Sequence, residues 1–137
     1  MGTASTTEIR AMRILVVDDE ADIRTMLDVV LTAEGWTVEQ AGSGDEGLTS
    51  FRALAPDMIV LDHRMPATTG WEVACQLLEE GCEAPIVLFS AYIDPELRAR
   101  CEALGLTPVD KLDWHGLVET CRRFDRLRLQ AQTTVPH

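Results

Sequence analysis

Short runs of apolar residues alternate along this chain with longer segments in which apolar residues recur every three or four positions. The short runs predict strands over 12–17, 36–40, 58–61, 85–89 and 107–110. Several of these runs show no polar residue at alternate positions, which is typical of strands buried on both faces of a parallel sheet.

Periodic apolar positions predict a helix after each strand. The predicted helices cover 22–34, 42–54, 71–80, 95–104 and 114–128. Asp94 followed by Pro95 marks one helix start, Gly105 marks the end of that helix, and Asp113 caps the last one. Strand–helix units of this kind, (βα)5, indicate an α/β fold with a doubly wound parallel sheet covered on both faces.

The length of 137 residues suits one domain with its own core. We expect a flexible N-terminal lead over 1–11, the domain over 12–128, and a flexible C-terminal tail over 129–137. The net charge of −11 argues against a nucleic-acid surface, because such a surface requires a basic patch.

The sequence predicts a cytoplasmic protein with no membrane partner. No apolar stretch approaches the roughly 18 residues of a membrane span, and no signal peptide is visible. The cysteines, which form no C-x-x-C pair and no metal-finger spacing, are Cys75, Cys82, Cys101 and Cys121. We expect them to be reduced thiols.

Polar side chains that can carry chemistry follow or end four of the predicted strands. They are Asp18, Asp19, Asp62, Ser90 and Lys111. Ligands of an open parallel sheet bind outside the carboxyl ends of its strands, so these side chains are candidates for one shared site. Neighbouring carboxylates repel one another, and hard oxygen ligands of this kind favour Mg²⁺.

Two other patterns have less support as functional sites. Residues 42–47 match the dinucleotide fingerprint G-x-G-x-x-G, but Asp45 and Glu46 would repel a pyrophosphate, and the segment follows the second strand. His63 adjoins Asp62, yet neighbours at a strand end point to opposite sides, so we expect no catalytic role for this histidine.

Several segments, in order, resemble the receiver domain of bacterial two-component response regulators over residues 12–128. They are ILVVDDEADIR, GWTVEQAGSGDEGL, PDMIVLDHRMPATTGWE, PIVLFSA and the single lysine Lys111. The resemblance implies a flavodoxin-like sheet with strand order 2-1-3-4-5.

The resemblance also implies a role for each candidate. Asp62 would accept a phosphoryl group from a histidine kinase or a histidine phosphotransfer protein, Ser90 would hydrogen-bond that group, and Lys111 would pair with its oxygens. Mg²⁺ would be held by the carboxylates of Asp18, Asp19 and Asp62 and by the backbone carbonyl of Arg64. Arg64 and Tyr92 are expected to flank the phosphoryl group and to tune its lifetime.

Two positions depart from the pattern of many receivers. Leu112 follows the lysine where proline is common, and a non-proline cis bond costs about 2.5–4 kcal/mol, so we expect a trans bond there. Pro108 stands where an aromatic residue often swings on activation. We therefore expect activation to run through residues 90–92 or through the last helix.

The leading interpretation is a phosphorylated signalling switch read by an unknown downstream protein, as a monomer or a phosphorylation-linked dimer. It would not be an enzyme beyond self-catalysed phosphotransfer and autodephosphorylation. One alternative is a pseudo-receiver, a phosphorylation-independent protein-binding module. Another is a phosphatase of the haloacid-dehalogenase type, but the D-x-D spacing of that class is missing from 18–20.

The last two predicted helices carry arginines that suggest a basic face. These are Arg98, Arg100, Arg122, Arg123, Arg126 and Arg128. Such a face is compatible with a docking or dimer surface, and equally with an ordinary solvated helix surface.

Overall fold

A computed structural model describes residues 9–133, which fold around one five-stranded sheet. The strands are β1 (Arg13–Val17), β2 (Thr37–Ala41), β3 (Met58–Leu61), β4 (Ile86–Ser90) and β5 (Thr107–Asp110). All pairs are parallel, and the order is β2-β1-β3-β4-β5. The predicted flavodoxin-like order is therefore confirmed.

A helix follows every strand, which confirms the α/β class. The helices are α1 (Ala21–Thr32), α2 (Gly44–Leu54), α3 (Gly70–Glu79), α4 (Pro95–Leu104) and α5 (Trp114–Thr133). Except at the end of α5, the predicted bounds differ from these by at most two residues.

The apolar core lies on both faces of the sheet. In β1, Leu15 and Val17 pack with residues of α2, α3 and α4, whereas Ile14 and Val16 pack with residues of α1 and α5. Successive residues of a strand point to opposite faces, so a strand covered on both sides needs an unbroken apolar run. That requirement explains the sequence of β1, β3 and β4.

Local side-chain contacts set the helix starts that the sequence predicted. The Asp94 carboxylate accepts a hydrogen bond from the backbone N–H of Leu97 at 2.7 Å, and Asp113 accepts one from Gly116 at 2.8 Å. Gly105 ends α4 in the left-handed region, with a φ of 77°, which glycine adopts without steric cost.

The start of α5 is fixed against the sheet by an aromatic pair. Trp114 packs edge-on to Phe89 of β4, with the ring centroids 5.7 Å apart and the ring planes at 89°. This is a favoured arrangement because the edge of one ring is electropositive and the face of the other is electronegative. The pair ties the loop after β5 to the strand that carries Ser90.

The expected tail over 129–137 differs from the structure, since α5 continues to Thr133. Residues 129–132 are leucine, glutamine, alanine and glutamine, all good helix formers. Arg128 also fixes this part of the helix by donating hydrogen bonds to the Asp125 carboxylate and to the backbone carbonyl of Arg10. The rest of the tail, 134–137, lies outside the described residues.

The predicted flexible lead over 1–11 is described only from residue 9 onward. Arg10 donates two hydrogen bonds to the Asp57 carboxylate, at 2.6 and 3.0 Å. The last residues of the lead are therefore held against the start of β3, while residues 1–8 lie outside the described part of the chain.

Two of the six arginines on the predicted basic face form ion pairs with other described residues. Arg122 contacts Glu34 and Glu119, and Arg128 contacts Asp125. These contacts neutralise part of the positive charge on that face. Among the described helices, none is both long and apolar enough to cross a membrane, and all four cysteines are free thiols.

Candidate functional site

The carboxyl ends of four adjacent strands bring the predicted polar side chains together. Asp18 follows β1, Asp62 follows β3, Ser90 ends β4, and Lys111 follows β5. Asp18, Asp62 and Ser90 are 1 %, 4 % and 1 % exposed, and they are the buried polar or charged residues among those that the structure describes. Buried charge is energetically costly unless it is paired, and such groups cluster at functional sites. A functional site is therefore expected at this edge of the sheet.

The ammonium group of Lys111 faces both buried carboxylates. Its Nζ lies 2.9 Å from Asp18 Oδ2 and 3.1 Å from Asp62 Oδ1, and Glu20 Oε1 is more distant at 3.7 Å. The Lys111–Leu112 peptide bond is not cis, as predicted. The absence of proline at Leu112 therefore does not prevent Lys111 from reaching the two carboxylates.

A tight turn after β5 orients the side chain of Lys111 toward the carboxylates. The backbone N–H of Lys111 donates to the carbonyl of Ser90 at 2.9 Å, which continues the pairing of β5 with β4. The Asp110 carboxylate then accepts a hydrogen bond from the N–H of Leu112 at 2.7 Å. An aspartate that bonds its own backbone two residues later stabilises a turn without proline.

The single positive charge of Lys111 does not neutralise both buried carboxylates, Asp18 and Asp62. Burial, and then the neighbouring charge of Asp18, raise the pKa of Asp62 to about 6, although Lys111 and the backbone N–H of Arg64 act in the opposite direction. Burial alone would lower the pKa of Lys111, but Asp18 and Asp62 raise it above its ordinary value. The lysine therefore stays charged, and the cluster keeps an excess of negative charge.

The same residues fit a divalent cation. Asp18, Asp19 and Asp62 each offer a carboxylate oxygen, and these oxygens lie within 4.8 Å of one another. Asp18 Oδ2 is buried and, despite the nearby lysine, accepts no well-aligned hydrogen bond from the described residues. Asp19 is exposed and opens the cluster to solvent. An all-oxygen donor set with this charge suits Mg²⁺.

The hydroxyl of Ser90 is turned toward its own loop. Its Oγ lies 3.4 Å from the carbonyl oxygen and 3.5 Å from the backbone nitrogen of Tyr92. Both distances are long for hydrogen bonds, so they hold the hydroxyl weakly. The role predicted for Ser90 stays a prediction, as does the metal ligation by the carbonyl of Arg64.

Comparison with known proteins decides the family. A sequence model of the response regulator receiver domain matches residues 14–109. The chain belongs to this family. The match extends from β1 to β5 and includes four of the five side chains predicted for the site, while Lys111 lies two residues beyond it.

The curated relatives include DNA-binding response regulators. The DNA-binding response regulator MtrA of Mycobacterium tuberculosis is 42% identical over 82 residues, which are 60% of this chain and 36% of MtrA. This chain therefore spans about a third of the length of the curated relatives that it matches.

Solved structures of the response regulator TrrA from Thermotoga maritima also resemble this receiver. TrrA in complex with Mg²⁺-BeF is 33% identical, with a TM-score of 0.74, over 82% of this chain and 98% of TrrA. TrrA in complex with the histidine kinase ThkA gives the same identity and TM-score, over 82% of this chain and 97% of TrrA.

Two residues that support the receiver site were not predicted from the sequence. A Cβ atom at Gly70 would lie 2.2 Å from the backbone oxygen of Asp62, so only glycine fits beside the candidate phosphoacceptor. Arg24 of α1 donates a hydrogen bond to the backbone carbonyl of Asp18 at 2.6 Å. A basic residue one turn after the acidic run was the available signal for Arg24, whereas nothing in the sequence pattern singles out Gly70.

A cleft of about 350 Å³ adjoins the site between the loops that follow β3 and β4. Its lining includes His63, Arg64, Tyr92 and Arg100, and Arg100 lies over the ring of Trp71 at 4.3 Å. Burial, together with Arg100 and Arg64, lowers the pKa of His63. The absence of a catalytic role for His63 stays a prediction, as does the role of Arg64 and Tyr92, which both line this cleft.

Proposed function

We propose that this receiver accepts a phosphoryl group on Asp62 from a phosphohistidine of a kinase or phosphotransfer protein, in a reaction that depends on Mg²⁺. The observation that carries the proposal is a buried Asp62 carboxylate 3.1 Å from Lys111 Nζ, within a carboxylate cluster of a size that suits a cation. A bond forms between an Asp62 oxygen and phosphorus. The phosphorus–nitrogen bond of the donor breaks, and its electron pair remains on the imidazole.

The residues of the site provide the conditions that this step requires. With a pKa of about 6, Asp62 is mostly ionised at pH 7 and can act as the nucleophile. Lys111 already contacts Asp62 and is placed to donate to phosphoryl oxygens attached there. Asp18, Asp19 and Asp62 would hold Mg²⁺, which would neutralise part of the charge of the incoming group.

The partners follow from the chemistry and from the comparisons. A histidine kinase or a phosphotransfer protein would donate the phosphoryl group, and the TrrA–ThkA complex shows a related receiver bound to a kinase. A downstream protein would read the phosphorylated state. We further propose a cytoplasmic location, no nucleic-acid contact by this domain, and no enzymatic activity beyond self-catalysed phosphotransfer and autodephosphorylation.

One observation keeps a second candidate, the pseudo-receiver, in consideration. Pro108 lies within β5, paired with Leu88, where many receivers have an aromatic residue that moves on activation. Without that ring, a receiver fold could bind a partner constitutively. The close contact between Lys111 and Asp62 favours the phosphorylated switch, because a pure binding module has no need of it.

Acyl-phosphate labelling tests the proposal. The protein is incubated with acetyl phosphate, with and without Mg²⁺, and its intact mass is recorded. We expect one added phosphoryl group that disappears without Mg²⁺ and in Asp62→Asn. Asp57→Asn, which changes an aspartate at the other end of β3, is the matched control and should be labelled like the wild type.

No labelling of the wild type with acetyl phosphate or another small donor, together with no binding of Mg²⁺, would support the pseudo-receiver. Labelling that persists in Asp62→Asn would place the phosphoryl group on another residue and contradict the assignment of Asp62.

A further inference from the structure

The peptide unit between Asp18 and Asp19 joins two of the three carboxylates in the candidate cation site. Its carbonyl oxygen, which belongs to Asp18, accepts a hydrogen bond from Arg24 Nη1 at 2.6 Å. The guanidinium contacts the backbone and makes no ion pair with the carboxylate cluster among the described residues. Its position suggests a role in geometry rather than in charge neutralisation.

Each of the other polar groups of Asp18 already has a contact. Its N–H donates to the carbonyl of Ala41 at 3.0 Å, and its Oδ1 accepts from the N–H of Glu20 at 2.9 Å. Its Oδ2 lies 2.9 Å from Lys111 Nζ. The carbonyl is the remaining polar group, and it sets the plane of the peptide that leads into the exposed Asp19.

The side chain of Arg24 is itself held in place by contacts with Gln40 at the end of β2 and with Gly42 just after it. Its Nε donates to Gln40 Oε1 at 3.3 Å, and Gln40 in turn donates to the Asp28 carboxylate at 3.0 Å. A Cβ atom at Gly42 would lie 3.2 Å from Arg24 Nη1, so the guanidinium packs closely against this glycine. The planar fork of arginine can bond two acceptors in fixed directions, which lysine cannot do.

We propose that Arg24 is a positioning residue for the divalent-cation site, acting through the Asp18–Asp19 peptide. It orients Asp19 toward Asp18 and Asp62 without touching the cation. This inference rests on the proposed Mg²⁺ dependence of the receiver. A positioning role predicts that loss of Arg24 weakens Mg²⁺ binding. A purely electrostatic role predicts the opposite, because removing a nearby positive charge would by itself strengthen the binding of a cation.

The test measures Mg²⁺ affinity by isothermal titration calorimetry in the wild type, Arg24→Gln and Arg24→Lys. We expect Arg24→Gln to weaken Mg²⁺ binding about tenfold, as for the loss of one charge-assisted hydrogen bond. Arg24→Lys keeps the charge but loses the fork, so its affinity should fall between the other two. Arg126→Gln on the exposed surface of α5 is the control for net charge and should bind as the wild type does.

A second readout separates positioning from general loss of structure. In labelling with acetyl phosphate, Arg24→Gln should need more Mg²⁺ for half-maximal rate, while its rate at saturating Mg²⁺ returns close to that of the wild type. Gln40→Ala leaves the charge of Arg24 in place and removes its support, so it should shift the Mg²⁺ requirement in the same direction by less.

The outcomes are distinguishable. Unchanged or tighter Mg²⁺ binding in Arg24→Gln would overturn the positioning role and leave the proposed function intact. A lower rate at saturating Mg²⁺ in both Arg24→Gln and Gln40→Ala would also overturn it. If the wild type neither binds Mg²⁺ nor becomes labelled, the proposed function and this inference both fail.

Discussion

Strand β3 has an aspartate at each end, and the two have opposite environments. Asp57, before Met58, accepts two hydrogen bonds from Arg10 and one from the backbone N–H of Arg13 at 2.8 Å. Asp62, after Leu61, shares one lysine with a second buried carboxylate. The two aspartates thus differ in their partners rather than in residue type or in the strand that carries them.

The difference appears in the protonation of the two side chains. Burial would raise the pKa of Asp57, but hydrogen bonds from Arg10 and Arg13 hold it below its ordinary value. Burial and Asp18 raise the pKa of Asp62 to about 6. A carboxylate such as Asp57, whose charge is balanced by hydrogen-bond donors, stabilises the fold. A carboxylate such as Asp62, whose charge is only partly balanced, can still bind a cation or accept a phosphoryl group.

The largest expected effect comes from removing the only described cation that contacts the Asp62 carboxylate. Lys111→Gln leaves the buried carboxylates of Asp18 and Asp62 without a positively charged partner. Loss of one partner from a buried ion pair costs about 3–5 kcal/mol. We expect a decrease of this order in the free energy of unfolding at pH 7, measured by urea denaturation in EDTA. Protonation of Asp62 should reduce the loss at pH 5, and a loss independent of pH would contradict the electrostatic explanation.

Neutralising each aspartate of β3 in turn should give effects of opposite sign. Asp57→Asn weakens contacts with Arg10 and should decrease the free energy of unfolding at pH 7 by about 1–2 kcal/mol. Asp62→Asn removes a repelled charge and should increase it by about 1–3 kcal/mol in EDTA. Both free energies of unfolding are measured by chemical denaturation. If the two substitutions changed the free energy in the same direction, the two ends of the strand would not differ as described.

The pH dependence of stability gives a finer test of the same difference. The folded state of Asp62 binds its proton up to about pH 6, above the ordinary aspartate value of 3.8. Its contribution to stability therefore decreases as the pH rises through this window. Asp57 has a lowered pKa, so its contribution is present above the ordinary value and is lost on acidification.

The wild type is compared with Asp62→Asn and with Asp57→Asn by thermal unfolding at several pH values in EDTA. The advantage of Asp62→Asn over the wild type should grow between about pH 4 and pH 6 and then stay constant. A constant advantage from pH 4 to pH 7 would mean that Asp62 titrates normally in the folded protein.

The smallest effects concern two side chains that line the cleft beside Asp62. Arg64 and Tyr92 line the cleft beside the site, and Tyr92 is 62 % exposed. Each alanine substitution should change the rate of autodephosphorylation severalfold and leave the free energy of unfolding nearly unchanged. Loss of the labelled mass is followed over time, with Arg52→Ala, far along α2, as the control. Unchanged rates in both variants would exclude this role.

The strands and helices were predictable because the apolar pattern and the helix caps that specify them lie within short stretches of sequence. Apolar runs placed the buried strands, helix periodicity placed the covering helices, and caps such as Asp94 fixed the boundaries. The order of the strands came from the resemblance, since periodicity alone does not set it. The strand ends that carry Asp18, Asp62, Ser90 and Lys111 followed from the same reasoning.

The features that were missed depend on contacts between distant residues or on the orientation of side chains. Arg128 reaches the carbonyl of Arg10 across 118 positions of sequence, and this contact accompanies the continuation of α5. The need for glycine at Gly70 appears only when the backbone of Asp62 is beside it. The direction of the Ser90 hydroxyl depends on a loop conformation that no residue pattern specifies.

The edge-on contact between Trp114 and Phe89 has a spectroscopic consequence. The indole lies three residues after Lys111 and packs against the residue just before Ser90, so it borders both the lysine loop and the strand of the hydroxyl. Its emission maximum and near-ultraviolet circular dichroism depend on the polarity and asymmetry of that environment. Trp36 and Trp71 contribute to the same signals, so with phenylalanine at both of those positions Trp114 would give the domain an optical signal from the start of α5 without an attached dye.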